Sequence, residues 1–319
     1  MNGKEMKIDF DLLEELVDDH QMEQSVIGSK GSAGGWIHGQ GAWMEGKPQP
    51  VQIFPLPPGI YNAYDMMGVP ILLDTKLVSD NIIELPDTVN ESVVVSIRDF
   101  WGARERFKTL KQLFKRGILL KGPPGSGKTV AVLRVSVGLV EAGGVVLIYG
   151  GASATAGCLK MLRSLEPERP VIVIIEDIDQ IVTREKRSLL ALLDGEAQVD
   201  NVVYLATTNY VDQLPPELTN RPSRFDEVVE IGYPSAEARR MYLRSLLGVA
   251  ELPENQLDDW VRITDNLAIA HLKELAVATY CLGRDPLEVV ERLRKMGELP
   301  IVKASGSGLL RKTAEISGN

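Results

Sequence analysis

The chain is short of cysteine, of positive charge and of long apolar runs, and each shortage removes a class of protein from consideration. Only Cys158 and Cys281 occur in 319 residues, far apart and without metal-ligand spacing, so neither a disulfide framework nor a zinc site is expected. Both read as small buried residues in a reducing compartment. Lys and Arg number 35 against 44 Asp and Glu, a net charge of −9. That balance works against a non-specific grip on nucleic-acid phosphates, although a local basic loop is compatible with it, and it favours protein partners. The strongly apolar runs are strand-length and none approaches a membrane span. Met1-Asn2-Gly3-Lys4-Glu5 leads into acidic residues rather than an apolar stretch, so no export signal is expected and the location expected is cytoplasmic. No internal repeat is found. What is present is 44% apolar residues, enough for a sizeable core and, by length, about two domains.

Residues 1–22 carry Ile8, Leu12, Leu13, Leu16 and Val17 on one helical face, with Asp9, Asp11, Glu14, Glu15 and Asp18 elsewhere. This amphipathic helix suits docking to a partner or packing on the chain's own next domain. Residues 23–95 read as a β-rich module. Gly and Ser are frequent over 28–46 with Trp36 and Trp43 interleaved, and five prolines follow between Pro48 and Pro58, which rules out regular helix. The Pro-Leu-Pro-Pro at 55–58 fits a polyproline ligand or a rigid turn before a strand at 60–64. Further short strands are expected at 70–73 and 81–85. From 92 to 113 the pattern is helical and charged, anchored by Phe100, Trp101, Phe107 and Leu110. Strands at 118–120, 145–149, 171–175, 202–206 and 228–231 then alternate with helices at 130–139, near 158–165 and at 187–193. Such alternation predicts an α/β fold, a parallel sheet with helices on both faces, over 96–232. Only helical periodicity remains over 235–296, so 233–302 is expected to be a small all-helical domain, and 303–319 a disordered tail.

Residues Gly122-Pro123-Pro124-Gly125-Ser126-Gly127-Lys128-Thr129 fit G-x-x-x-x-G-K-[ST] between an apolar strand and a helix. In that context the glycines permit a turn whose N–H groups cradle a polyphosphate. Lys128 is suited to the β- and γ-phosphates of ATP and the Thr129 hydroxyl to Mg²⁺. The apolar run Val171-Ile172-Val173-Ile174-Ile175 ends in Glu176-Asp177-Ile178-Asp179, placing carboxylates at the rim of a central strand where a metal and an attacking water belong. The strand at 202–206 ends in Thr207-Thr208-Asn209, whose carboxamide is placed to orient a water. Arg221 and Arg224 follow; they fit surface ion pairs or the stabilisation of a transferring phosphoryl group.

These four motifs, in this order, resemble an AAA ATPase of the AAA+ superfamily over residues 96–300: Gly122–Thr129 is similar to Walker A, 174–179 to Walker B, Thr208-Asn209 to sensor 1, and 207–226 to the second region of homology. The resemblance implies a P-loop sheet followed by a helical lid, a homo-oligomeric ring, usually a hexamer, and ATP between subunits. It assigns Lys128 and Thr129 to phosphate and Mg²⁺, Glu176 to the metal through water, Asp177 to the attacking water, Asn209 to the γ-phosphate, and Arg221 and Arg224 to the neighbour's site. Two departures stand out. Glu176-Asp177 reverses the usual Asp-Glu order, which resembles the mitochondrial AAA translocase of the Rieske protein, as does the segment 189–195. Residues 150–157 contain no aromatic, where threading relatives carry an aromatic pore loop. In the helical domain 267–274 resembles the segment that closes over nucleotide, with His271 near adenine or ribose or simply packed in the lid. The function expected is an ATP-hydrolysing ring that remodels or translocates a protein partner selected by residues 1–95. The alternatives are a DNA- or RNA-associated loader and a nucleotide-gated scaffold.

Overall fold

The computed structural model describes residues 35–39, 42–46, 55–75, 90–194, 199–221, 223–248 and 253–298. The expected helix over 1–22, strand over 81–85 and tail over 303–319 lie outside them. Nine strands form one sheet: β1 (Gly35–Gly39), β2 (Ala42–Gly46), β3 (Gly59–Met66), β4 (Val69–Thr75), β5 (Lys115–Lys121), β6 (Val145–Ile148), β7 (Val171–Ile175), β8 (Val202–Thr208) and β9 (Glu227–Glu230). Their order is β1-β2-β4-β3-β6-β7-β8-β5-β9. The five strands from β6 to β9 are parallel. Every residue of β7 and β8 is buried, as expected of strands covered on both faces.

Alternation of side chains along the strands divides the core into two layers. Val171, Val173 and Ile175 face Leu159 and Leu162 of α4 (Ala152–Leu165) and Leu189 and Leu193 of α5 (Ile178–Asp194). Ile172 and Ile174 share the other layer with Val93 and Ile97 of α1 (Asn90–Trp101) and Ala131 and Val135 of α3 (Lys128–Glu141). Each fully buried aliphatic side chain of β7 contributes roughly 1.5–3 kcal/mol relative to exposure. Within α2 (Arg104–Thr109), Phe107 packs edge-on against Phe100 and Phe114, which stack with centroids 4.2 Å apart.

The described strands within 23–95 extend this sheet. β3 runs parallel to β6, pairing Gly59 with Val145 through Asn62 with Ile148, and antiparallel to β4. A Cβ on Gly150 would lie 1.7 Å from the Ala63 carbonyl oxygen, so glycine allows the turn after β6 to press against β3. The expected helix near 158–165 begins earlier, at Ala152, and leaves a turn of Tyr149-Gly150-Gly151 where a longer loop is expected. Helix α5 likewise starts directly after the carboxylates rather than at 187, with non-helical angles at Glu185. The Glu185 carboxylate accepts from Ala152 N at 3.2 Å and thereby satisfies the first turn of α4.

Past the short α6 (Pro216–Thr219) and β9 lie α7 (Ala236–Leu247), α8 (Glu254–Ile263), α9 (Ile269–Ala276) and α10 (Pro286–Glu298). The side chain of Ser235 caps α7 by accepting from Ala238 N at 3.1 Å. These helices enclose their own core around Leu243, Trp260, Leu272, Leu275 and Leu293, the all-helical unit expected. Because β5 lies between β8 and β9 while the chain leaves it for β6, the order reverses at β5 and opens a crevice at the carboxyl ends of the strands.

Candidate active site

The phosphate-loop residues occupy that crevice. Gly122 follows β5 so closely against β9 that a Cβ would lie 2.1 Å from the Ile231 carbonyl oxygen. Gly125 (φ 74°) and Gly127 (φ 107°) take left-handed backbone angles that disfavour a side chain. Between them the Ser126 hydroxyl is buried and has no hydrogen-bond partner among the described residues. Gly127 precedes the first turn of α3, whose N–H groups have no intrahelical acceptors. Lys128 opens α3 and is 6% exposed. Its Nζ donates to the carbonyls of Gly122 and Pro123, each at 2.9 Å. Burial pushes its pKa below the usual lysine value, and the charges of Asp177 and Asp179 oppose that shift. Pro124 and Thr129 are exposed on the rim.

The carboxylates converge on the same end of the sheet. Asp177 has φ 47°. Its backbone N–H donates to Thr207 Oγ1 at 3.1 Å and its Oδ1 accepts from Asn209 Nδ2 at 3.1 Å. Thr208 Oγ1 donates to Asp179 Oδ1 at 2.7 Å and accepts from Tyr210 N at 3.0 Å. Glu176 reaches solvent, yet its carboxyl lies above the ordinary range, first through desolvation by neighbouring atoms and then through the Asp177 charge. Gly122 and Asn209 also line a cavity of 220 Å³ with Lys121, Tyr210, Asp212 and Glu230.

The helical unit closes on the loop. A Cβ on Gly125 would lie 2.8 Å from Ala270 Cβ, at the start of α9. His271 Nδ1 accepts from Ala268 N at 3.2 Å; burial lowers the pKa of its ring. This hydrogen bond makes the ring part of the N-terminal cap of α9, consistent with the packed alternative for His271.

The arginines are elsewhere and differ from one another. Arg224 is 5% exposed. It forms a two-point ion pair with Asp194, Nε to Oδ1 at 2.8 Å and Nη2 to Oδ2 at 2.7 Å, and its Nη1 donates to the Glu217 carbonyl. The Arg221 side chain is 60% exposed and only 3.4 Å from Asp194 Oδ2. Both arginines are expected to face a neighbour's site; in this structure Arg224 is ion-paired within its own chain while Arg221 is exposed. A Cβ on Gly117 would lie 1.8 Å from the Arg224 carbonyl oxygen, which places this segment against the early part of β5. Gly117 to Gly122 spans roughly 16 Å at about 3.3 Å per residue, so the arginines are well removed from their own phosphate loop.

Three consecutive parallel-strand ends thus present a glycine cradle with a buried lysine, a carboxylate pair and a carboxamide bonded to one of the pair. Residues 118–233 match the family described as "ATPase family associated with various cellular activities (AAA)". The chain carries an AAA ATPase domain. The domain spans everything from the phosphate loop to both arginines. Among its relatives, the ATP-dependent zinc metalloprotease FtsH 2 of Sphaerobacter thermophilus is 31% identical over 241 residues, 69% of this chain and 36% of that protein. The ATPase family gene 2 protein of Schizosaccharomyces pombe is 33% identical over 49% of this chain and 21% of its own length. The proteasome-activating nucleotidase of Saccharolobus solfataricus is 27% identical over 72% of this chain and 67% of its length. The chain therefore spans about a third of the first relative, a fifth of the second and two thirds of the third.

The structure brings the phosphate loop, the carboxylates and the carboxamide to one edge of the sheet, together with three supporting residues to which the sequence assigns no role. Thr207 and Asp179 were visible only as neighbours of better-known positions. Asp194 is 30 residues from Arg224 in sequence, and nothing local announces the pair.

Proposed function

We propose that the protein is an ATP-hydrolysing ring motor, acting in the cytoplasm, that remodels or translocates a protein partner. The observation that carries hydrolysis is the Asp177 carboxylate, 3.1 Å from the Asn209 amide and close enough to buried Lys128 for its charge to act on the ammonium. Positioning a water against a phosphoryl group calls for a base and an amide at one edge, with a cation on the phosphates.

The residues fit ATP and Mg²⁺. The unpartnered Ser126 hydroxyl and the left-handed glycines form an anion cradle at the start of a helix. Gly122 through Thr129 hold the phosphates, with Lys128 as their counter-charge. Thr129 and Glu176 hold the metal, Glu176 through water; bound there, Mg²⁺ neutralises phosphate charge. Asp177 takes the proton of the attacking water and Asn209 orients that water. His271 supports the lid beside the nucleotide. Arg221 acts on ATP in the next subunit, because it is exposed and distant from its own loop, while Arg224 holds the segment in place through Asp194. The ring proposed is a homohexamer, in which the Arg221 of each subunit meets the ATP of the next.

Residues 1–95 select the protein partner in this reading. Its support is the turn between β3 and β4, which exposes Tyr64, Met66, Met67 and Val69. The three-residue turn at 149–151 carries Tyr149 only partly exposed and favours remodelling over threading by an aromatic loop. The Glu176-Asp177 order is the support for a Rieske-translocase-like branch. No helix among the described residues is long and apolar enough to cross a membrane. The histidines His20, His38 and His271 form no His-Glu-x-x-His motif, so proteolysis is not part of the proposal. The net charge of −9 weighs against the DNA- or RNA-loading alternative, and the assembled catalytic set weighs against a non-hydrolysing scaffold. Phosphate release from Mg-ATP, measured alone, with single-stranded DNA and with a co-purifying protein, tests all three. Stimulation by DNA alone selects the loader, and nucleotide binding without turnover selects the scaffold.

A further inference from the structure

The left-handed backbone at Asp177 is the most unusual conformation in the catalytic edge. A non-glycine residue there costs roughly 1–2 kcal/mol, less for a short polar side chain, and persists only when its surroundings hold it. Two contacts do so from one strand end. Asn209 grips the carboxylate, and Thr207 Oγ1 accepts from the Asp177 backbone N–H. Thr207 is 4% exposed, and its hydroxyl supplies the acceptor this turn gives the N–H. Thr208, pointing to the alternate side of the strand, bonds Asp179 instead.

We propose that Thr207 is a positioning residue for Asp177. Its hydroxyl locks the left-handed turn and so sets the direction in which the carboxylate is presented. The proposal rests on the reading of Asp177 as the base. It also gives a physical reason for a short carboxylate at this position: aspartate has one rotatable bond fewer than glutamate, so its direction depends more closely on the backbone and on the Asn209 contact. A glutamate would have a further rotatable bond with which to correct a misdirected turn. Without the acceptor, a partly buried N–H loses its protein partner and the turn relaxes toward ordinary angles, taking the carboxylate with it.

Thr207→Val keeps the branched shape and removes the acceptor, whereas Thr207→Ser keeps the acceptor. Steady-state ATP hydrolysis and binding of a fluorescent ATP analogue should separate them. The expected result is a kcat lowered about 10- to 100-fold in Thr207→Val with analogue affinity unchanged, and near-normal kcat in Thr207→Ser. In an Asp177→Asn background Thr207→Val should lower kcat no further, because the two residues act as one unit. Circular dichroism melting identifies a folding defect, in which case Thr207→Ala takes the place of the valine variant. Normal turnover by the folded valine or alanine variant beside an inactive Asp177→Asn overturns the role of Thr207 alone. A Thr207→Val loss that adds in full to that of Asp177→Asn overturns it too. Normal turnover by Asp177→Asn brings down the reading of Asp177, and the role of Thr207 with it.

Discussion

At the carboxyl end of β5, Lys128 is buried among the carbonyls of its own loop while Thr129 and Glu176 stay open to solvent. Against the early part of the same strand, Arg224 is fully enclosed by Asp194 and Glu217, and Arg221 alone faces out. The first region is a cradle whose polar groups point at a shared space. The second is a closed ion pair with a further, exposed arginine held to the same Asp194 by a longer contact of 3.4 Å. The difference is one of direction: one end of the strand gathers the residues proposed to bind and hydrolyse nucleotide, while the other turns outward the arginine proposed to act on a neighbouring copy.

The largest effect should come from breaking the first region. Lys128→Ala removes the counter-charge from the cradle and is expected to abolish ATP-analogue binding in a fluorescence titration. Asp177→Asn leaves the cradle intact, so binding should persist while turnover falls by about 10²- to 10⁴-fold. Equal loss of binding in both variants would mean the cradle and the carboxylates are not separable, and the contrast drawn within this region would fail.

Next is the split between the arginines. Arg221→Ala is expected to lower turnover about 10³-fold while changing stability by less than about 0.5 kcal/mol, since its side chain is 60% exposed. Mixing it with Lys128→Ala subunits should recover hydrolysis at interfaces that combine an intact loop with an intact arginine. Arg224→Ala should behave differently. It strips the main partner from Asp194, leaving the longer contacts of Arg221 and Ser223; the Asp194 carboxyl is held below its usual range chiefly by the hydrogen bond from Arg224. Because the Asp194 side chain is 23% exposed, the loss is expected near 2–3 kcal/mol in denaturant unfolding rather than the full cost of a buried orphan charge. If Arg224→Ala is as stable as the parent and Arg221→Ala fully active, the assignment of the two residues is reversed.

What the sequence made legible follows from the range over which each signal acts. The phosphate loop is one contiguous octet, and β7 is a run of five β-branched residues, so spacing and composition identify both. The start of helix α4 is not legible because Ala152-Ser153-Ala154-Thr155-Ala156-Gly157 has almost no apolar periodicity; its first turn is fixed instead by Glu185, 33 residues away. The pairing of β3 with β6 was equally hidden, since a short strand's pattern records burial and not its neighbour. The Arg224–Asp194 pair has the same character, and it is why two arginines that look alike in sequence differ in structure.

A sharper boundary for the cradle comes from Gly125, where the lid meets the loop. Gly125→Val would force a branched side chain into a left-handed angle and against Ala270, whose Cβ is 2.8 Å from where a Cβ at 125 would lie. Analogue affinity should fall at least tenfold, with the melting of the arginine region unchanged by hydrogen exchange at 217–226. Protection lost equally at both places would show the two regions to be one cooperative unit.

The smallest effect expected is the pH response of His271, and it tests whether the lid side of the cradle is held by a neutral ring. Burial lowers the pKa of His271, and Nδ1 can accept from Ala268 N only while unprotonated. Between the folded value and the unfolded value near 6.5, the unfolded chain binds more protons, so stability must fall as pH falls through that window. His271→Asn keeps a side-chain acceptor and cannot titrate. Its melting temperature should therefore drop less than the parent's between pH 7.5 and 5.5. The difference should be on the order of 1 °C, because the ring is partly solvated and its charge is screened. Parallel pH profiles would mean that the ring does not cap α9 as a neutral acceptor.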